Sequence, residues 1–273
     1  MNAPAPVARE SEAAGLRVGI VGGNGWIGRA LARALIESGA VKPGALTLSC
    51  RSEPPGWFPG ARWTRDNQAL ADASDVVVLS VRPRDFTGVG LRTGDRLVIS
   101  VMAGIPIAAI AEATGARRIV RALPNAAAEV GKSYTPWTAS PETTDADRQV
   151  VRRIFAACGT EDEVGREADI DYLTGLSGTG PAYPALLAAA MMADAVAHGL
   201  PEAVARRAAV GLLVGTGRIF EATGEDPNAT LAAYLSYRGV TAAAIEAMLA
   251  CGFRQAVNAG LEAALRETLG AKG

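Results

Sequence analysis

A predicted strand, a glycine-rich turn and a predicted helix follow one another directly near the start of the chain. LRVGIV (16–21) is rich in β-branched residues, GGNGWIG (22–28) follows it, and an amphipathic stretch continues to Gly39. Gly23-x-Gly25-x-x-Gly28 has the spacing of a dinucleotide fingerprint, in which bare backbone lets a pyrophosphate lie at the helix N-terminus. We therefore favour a dinucleotide site over an ordinary tight turn. The candidate cofactor-binding residues here are Gly22, Gly23, Asn24, Gly25, Trp26, Ile27 and Gly28.

The second predicted strand indicates which dinucleotide is bound. ALTLS (45–49) is followed by Arg51 and Ser52, whereas an NAD site usually has an acid near this point to hold the ribose 2′-hydroxyl. A guanidinium and a hydroxyl can bind a 2′-phosphate instead, and the nearest acid, Glu53, comes later. The pattern predicts NADP(H) in preference to NAD(H). The alternative for Arg51 is a solvated surface charge.

The alternation of strands and helices continues through the first half of the chain. Apolar runs at 75–81, 96–100 and 118–121 predict three further strands, and one of the helices between them begins near Pro106. The segments 181–198, 202–222, 229–235, 241–250 and 254–268 then predict helices alone. The predicted fold class is α/β, with an N-terminal Rossmann-like dinucleotide-binding domain followed by an all-α dimerisation domain. The predicted organisation is a disordered arm (1–15), the dinucleotide-binding domain (16–166) and the helical substrate and dimerisation domain (167–273).

Composition and charge narrow the possible partners. The net charge is −1 without runs of like charge, which argues against nucleic acid and anionic membranes. Three distant cysteines without a CxxC pair predict no metal site and buried, reduced thiols.

The chain is expected to be a soluble cytoplasmic protein. The start lacks an apolar core, and the longest apolar stretch, 182–197, is too short for a membrane span. The alanine-rich, aromatic-poor helices predict a homodimer or a higher homo-oligomer. The acids at 161–163 are interpreted as a solvated turn.

Five short motifs occur in a specific order along the chain. They are VRP (81–83), SVMAGI (100–105), RALPN (121–125), LSGTGPAY (176–183) and GFRQAV (252–257). Together they make the chain resemble the pyrroline-5-carboxylate reductase family, over about 18–269. The resemblance implies NADPH-dependent reduction of a cyclic imine, 1-pyrroline-5-carboxylate, to proline. It also adds cofactor-binding candidates to those of the glycine turn and the second strand. These are Asn67, Val81, Arg82, Pro83, Ala103, Gly104 and Asn125.

The resemblance also points to a substrate site. Ser177 and Gly178 belong to a turn that passes near the reacting ring in this family. A second family loop, Ser-Pro-Gly-Gly-(Thr/Ala)-Thr, matches 236–241, which implies that Thr241 is the polar catalytic residue. The alternative is that Thr241 caps the helix that follows. The remaining substrate-binding candidates of this loop are Arg238, Gly239 and Val240.

One departure from the family loop leaves the substrate open. Tyr237 and Arg238 stand where the family has Pro-Gly, so Arg238 would reach a second carboxylate or fill the space of a missing one. Two alternatives follow: a reductase of the same scaffold for a different imine or keto acid, and a non-catalytic NADP-binding paralogue. The only histidine, His198, lies at a predicted helix end, which is a favourable place for it without any catalytic role.

Overall fold

The computed structural model describes residues 15–270. The predicted disordered arm therefore lies outside the described residues, except for Gly15. The described residues form two compact units, one of 15–178 with 267–270 and one of Thr179–Arg266. The division thus falls after Gly178, whereas the sequence places the start of the helical domain at Glu167; that functional boundary stays a prediction.

The first unit is built around an eight-stranded sheet with the order β3-β2-β1-β4-β5-β6-β7-β8. Neighbouring strands pair in parallel except β6 and β7, which are antiparallel. The first six strands have the order of a doubly wound dinucleotide-binding domain, as the sequence predicts. The strands are β1 Val18–Val21, β2 Leu46–Ser49, β3 Arg62–Thr64, β4 Val76–Leu79, β5 Leu97–Ser100, β6 Ile119–Ala122, β7 Ser133–Ala139 and β8 Gly159–Glu163.

The helices of the first unit cover both faces of this sheet, and two separate groups of buried apolar side chains pack there. Leu31 and Leu35 of the helix after the glycine turn pack on one face, and Leu70 and Ile110 pack on the other. Strands covered on both faces must be apolar throughout, which explains why β1, β4 and β5 were predictable. The helices are α1 Trp26–Glu37, α2 Asn67–Asp72, α3 Ile107–Thr114, α4 Asp145–Ala156 and α5 Glu167–Leu173.

Strand β8 corrects one expectation, because its acids do not form a solvated turn. Glu161 accepts a hydrogen bond of 2.5 Å from the indole N–H of Trp137 in β7. Glu163 pairs with Arg148 at 2.8 Å and with Arg152 at 3.0 Å, both on α4. Tertiary partners thus engage Glu161 and Glu163, and an acidic segment becomes an edge strand, where charged side chains also discourage pairing with other chains.

The second unit is helical among its described residues. Its helices are α6 Ala182–Ala197, α7 Glu202–Thr223, α8 Pro227–Ser236, α9 Val240–Ala250 and α10 Phe253–Gly270, whose last residues belong to the first unit. Ala188 of α6 and Ala205 and Ala209 of α7 are buried, and small side chains at these positions let the two helices pack closely. Larger apolar side chains remain exposed, among them Leu186 at 71% and Val214 at 58%.

The described residues contain one helical run, Glu167–Ala197, that is long and apolar enough to cross a membrane by length and composition. A second candidate arises only if α9 and α10 are joined across a bend of 53°. The first run is longer than the 182–197 stretch on which the expectation of no membrane span rested. An exposed apolar helix is equally what an interface between two copies of a chain requires.

Candidate dinucleotide site

The turn between β1 and α1 requires glycine at specific positions. Gly22 has a φ of +82°, and a Cβ there would lie 2.4 Å from the Ser80 carbonyl oxygen. A Cβ on Gly28 would lie 2.5 Å from the Gly22 carbonyl oxygen. The left-handed residue is Gly22, whereas Gly23 is buried against Leu48 of β2. The predicted fingerprint began one residue later, at Gly23, and the conformational signal lies at Gly22.

The N-terminus of α1 is free to bind an anion. Its N-cap is Gly25, which supplies no side-chain oxygen to the first-turn N–H groups, and the first turn contains no acidic residue. The apolar side of this twelve-residue helix is buried in the core, which fixes the position of the N-terminus. Uncapped N–H groups and the helix dipole favour negative charge at this point, which fits the pyrophosphate of a dinucleotide.

A cavity of about 680 Å³ adjoins this turn, within the size range of small-molecule sites. The ends of β1, β2 and β4 and the segments after β3 and β4 contribute its walls. Predicted cofactor residues that line it are Gly22, Asn24, Gly25, Arg51, Ser52, Asn67, Val81 and Arg82. Predicted cofactor residues outside its lining are Gly23, Trp26, Ile27, Gly28, Pro83, Ala103, Gly104 and Asn125.

Two asparagines hold the walls of the cavity together. Asn67 accepts a hydrogen bond of 2.7 Å from the Ser49 hydroxyl and donates one of 2.8 Å to the Val89 carbonyl oxygen. Asn24 in the glycine turn donates to the Ser52 hydroxyl at 3.4 Å. Asn67 thereby ties the end of β2 to the segment after β4, and Asn24 places Ser52 beside the turn.

Four arginines line the cavity, and sequence reasoning identified only Arg51 and Arg82 among them. Arg65 and Arg84 are the other two; Arg65 follows β3 without any local motif, and Arg84 follows the VRP motif after β4. Of the lining residues only Asp85 is acidic, and its carboxylate lies 3.4 Å from Arg51. The excess of guanidinium groups fits a ligand with several phosphate charges.

The three cysteines differ in burial, and one of them lies at this site. Burial raises the pKa of the Cys158 thiol to about 12, so that thiol stays protonated. Cys50 lines the cavity, and its thiol donates to the Ser52 carbonyl oxygen at 3.2 Å. Cys251 is exposed, so the expectation of three buried thiols is wrong for Cys251 and holds only partly for Cys50. Residues 15–270 contain no cluster of three or more side chains suited to a metal ion.

The segment that contains Ser177 and Gly178 forms a π-helical turn, Thr174–Gly178, directly after α5. Asn125 donates a hydrogen bond of 3.0 Å to the Ser177 carbonyl oxygen, and a Cβ on Gly178 would lie 2.8 Å from the Leu123 side chain. π turns inside helices occur frequently at functional sites. The loop after β6 therefore fixes the path of this turn.

A buried ion-pair network supports the same region. Arg121 of β6 is 1% exposed; it pairs with Glu167 at 2.8 Å and with the buried Asp171 at 3.0 Å. Glu167 also accepts from the Ile107 N–H at 2.9 Å, which connects α5 to the start of α3. Because loss of Arg121 would take this guanidinium away from the buried Asp171 carboxylate, the network holds α5 and its π turn against β6.

The predicted substrate loop lies between α8 and α9 in the second unit. Tyr237 and Val240 are 86% and 90% exposed, and Arg238 adopts a left-handed φ of +50° that glycine favours. Gly239 is the N-cap of α9, so the alternative that Thr241 caps this helix is wrong. Thr241 lies in the first turn with an exposed side chain, and no bond of its hydroxyl is found within residues 15–270.

The sheet order, the glycine turn and the arginine-lined cavity beyond the carboxyl edge define a dinucleotide-binding protein. Two family models match the chain: "Pyrroline-5-carboxylate reductase dimerisation" over 167–269 and "NADP oxidoreductase coenzyme F420-dependent" over 17–104. The pyrroline-5-carboxylate reductase of Synechocystis sp. is 32% identical over 264 residues, which cover 93% of this chain and 97% of the relative. That of Escherichia coli is 32% identical over 252 residues, with coverage of 88% and 93%.

Solved structures agree with these relatives. A pyrroline-5-carboxylate reductase from Coxiella burnetii superimposes with a TM-score of 0.87 at 27% identity and covers 95% of this chain and 100% of the other. The chain belongs to the pyrroline-5-carboxylate reductase family, which confirms the resemblance found in the sequence motifs. It is therefore an oxidoreductase that depends on a nicotinamide dinucleotide.

Proposed function

We propose that this protein reduces 1-pyrroline-5-carboxylate to proline and uses NADPH in preference to NADH. The observation that carries the proposal is the similarity to pyrroline-5-carboxylate reductases over nearly the whole chain, from organisms as distant as Synechocystis and Escherichia coli. The glycine turn and the four cavity arginines supply a matching place for the cofactor. The alternative substrates and the non-catalytic alternative gain no support from these relatives.

The first unit binds the cofactor in this proposal. When bound, the dinucleotide supplies the hydride that reduces the C=N carbon of the substrate. The α1 N-terminus and the turn that begins at Gly22 hold the pyrophosphate, because their N–H groups are uncapped. Arg51 and Ser52, at the end of β2, bind the 2′-phosphate that distinguishes NADPH from NADH.

The second unit contributes the loop that handles the substrate. The backbone amides of Arg238, Gly239 and Val240 hold the substrate carboxylate, and the Thr241 hydroxyl donates to the imine nitrogen. Reduction of the C=N bond would add the hydride to carbon and one proton, drawn from solvent, to nitrogen. An imine accepts a proton more readily than a ketone does, so no strong catalytic acid is needed in the site.

We also propose that the protein works as a cytoplasmic homodimer or higher homo-oligomer. The matched dimerisation model covers 167–269, and Leu186, Val214 and Val240 are exposed large apolar residues within it. A single chain rarely exposes so much apolar surface without a partner. Light scattering at micromolar concentration should give at least twice the mass of the chain; the mass of one chain would contradict this.

The decisive experiment follows NADPH oxidation by the purified protein with 1-pyrroline-5-carboxylate. NADH and a six-membered cyclic imine acid serve as parallel reactions. We expect turnover of the five-membered substrate, with the higher kcat/KM for NADPH. Cofactor binding without turnover of the five-membered substrate would overturn the proposed reaction. Equal or better use of NADH would overturn the proposed cofactor preference alone.

A further inference from the structure

We propose that Arg65 is a second guanidinium that binds the 2′-phosphate of NADPH, together with Arg51. This inference rests on the proposed preference for NADPH and adds a residue from a different strand to the site. No motif in the sequence points to Arg65, which follows β3, a strand of only three residues. Its assignment comes from the pairing of β3 with β2 and from the shared cavity.

The register of the sheet places the two arginines at the same edge. β2 and β3 pair in parallel, with Ser49 opposite Thr64. The pairing continues past the strands, because the Cys50 N–H donates to the Thr64 carbonyl oxygen at 3.3 Å. Arg51 and Arg65 therefore both lie just beyond the carboxyl ends of neighbouring strands, and both line the cavity.

The 2′-phosphate belongs at this end of the cavity rather than beside β4. In doubly wound domains the residues after the second strand contact the ribose 2′ position. Arg51 and Ser52 occupy that place, and Arg65 comes from the next strand outward. Arg82 and Arg84 follow β4 instead, on the far side of β1 from β3. Arg65 is thus the additional cavity arginine whose strand neighbours the end of β2.

The guanidinium groups of Arg51 and Arg65 are held by carboxylates that a phosphate can replace. Arg65 lies 3.0 Å from Glu53, with side-chain exposures of 61% and 91%, and Arg51 lies 3.4 Å from Asp85. Exposed ion pairs of this kind are weak. A phosphate carries more charge than a carboxylate and can also accept two parallel hydrogen bonds from a guanidinium, so it competes well with these carboxylates.

The test measures two fragments that differ only in the 2′-phosphate. Isothermal titration calorimetry with adenosine 2′,5′-bisphosphate and with 5′-AMP compares the wild type with Arg65→Gln and Arg51→Gln. We expect each variant to bind the bisphosphate about tenfold more weakly, as for loss of one charge-assisted hydrogen-bond pair, and to bind 5′-AMP as the wild type does. Arg62→Gln is the matched control, because Arg62 is an exposed arginine at the other end of β3 and outside the cavity lining.

The outcomes separate this inference from the proposed cofactor preference. If Arg65→Gln keeps wild-type affinity for the bisphosphate, or weakens both fragments alike, Arg65 does not bind the 2′-phosphate, and the NADPH preference still stands through Arg51. If Arg62→Gln weakens the bisphosphate as much as Arg65→Gln does, a general charge effect is responsible and the assignment is wrong. A wild type that binds both fragments equally would contradict the NADPH preference itself.

Discussion

The side-chain amide of Asn125 donates a hydrogen bond to the Ser177 carbonyl oxygen over 3.0 Å, which joins the loop after β6 to the π turn after α5. The other side-chain atom of Asn125 is also engaged, because its oxygen accepts from the Ala127 N–H at 2.9 Å. The sequence predicts that Asn125 binds the cofactor. The residue does not line the cavity, however, and both its amide nitrogen and its amide oxygen form hydrogen bonds within the protein. Its structural position is that of a residue that fixes the π turn.

Asn125→Asp should separate these two roles. The substitution keeps the oxygen that accepts from Ala127 and removes the donor to Ser177, so the π turn loses its anchor. We expect kcat to fall about tenfold, because the family resemblance implies that this turn lies near the reacting ring and the substitution displaces it. The Kd for NADPH should stay within about twofold. Steady-state kinetics and NADPH titration measure the two quantities. A large rise in the NADPH Kd with unchanged kcat would instead support the predicted cofactor contact.

Acid sensitivity should depend on Asp147 at the start of α4. Burial is the largest single influence and raises its pKa, but hydrogen bonds from Thr144 and the ion pair with Arg118 at 2.7 Å together lower the pKa below the usual 3.8. The unfolded chain therefore takes up this proton first as the pH falls. The stabilisation is present above about pH 3.8 and is lost as the pH falls through the lower folded value.

Asp147→Asn removes this titration. We expect the variant to be less stable than the wild type by about 1–3 kcal/mol at neutral pH, and the difference to shrink between about pH 5 and about pH 3. Urea unfolding across this range measures both effects. Asp145→Asn removes the same charge from the exposed side of the same turn and is the matched control for the loss of one negative charge. A constant difference between Asp147→Asn and the wild type would contradict the assignment.

The steric effect of a side chain at Gly22, next to the Ser80 carbonyl oxygen, can be measured by comparing it with the same substitution at a second left-handed glycine. Gly22 and Gly39 have similar left-handed φ values of +82° and +71°, but a Cβ on Gly39 would meet nothing within 4 Å. Gly39→Ala should therefore cost about 1 kcal/mol from the backbone conformation alone. Gly22→Ala should cost about 1–3 kcal/mol more and weaken NADPH binding, because the turn must move away from β4. Equal losses of stability in the two variants would show that the turn absorbs the extra methyl group.

Much of the fold was predictable because the buried strands carry their own signal. Val76–Leu79 and Leu97–Ser100 are covered on both faces, and each is followed by a loop that contains Gly or Pro. Their composition alone therefore identifies them as strands. β8 could not be predicted, since its acids form a strand only when Trp137, Arg148 and Arg152 are brought to them from elsewhere in the chain. Pairing partners so distant in sequence leave no local pattern.

Some residues of the candidate site could likewise be predicted from the sequence, and others could not. The turn at Gly22 and the pair Arg51 and Ser52 follow strands with clear patterns, so the sequence indicates them. Arg65 follows a three-residue strand whose place beside β2 is set by tertiary pairing, and its sequence neighbours give no sign of a phosphate. The left-handed conformation of Arg238 is likewise invisible in the sequence, because Tyr237-Arg238 has no turn signature of its own.

Thr241→Ala should lower turnover without unfolding the protein. Thr241 is exposed in the first turn of α9 while Gly239 occupies the N-cap, so removal of the hydroxyl should change the free energy of unfolding by less than about 0.5 kcal/mol. Loss of a donor to the imine nitrogen should lower kcat on the order of 10²-fold, with the NADPH Kd unchanged. Thr241→Ser keeps the hydroxyl and should recover most of the activity. If the serine variant is as impaired as the alanine variant, or if both lose NADPH binding, the role of Thr241 is packing rather than catalysis.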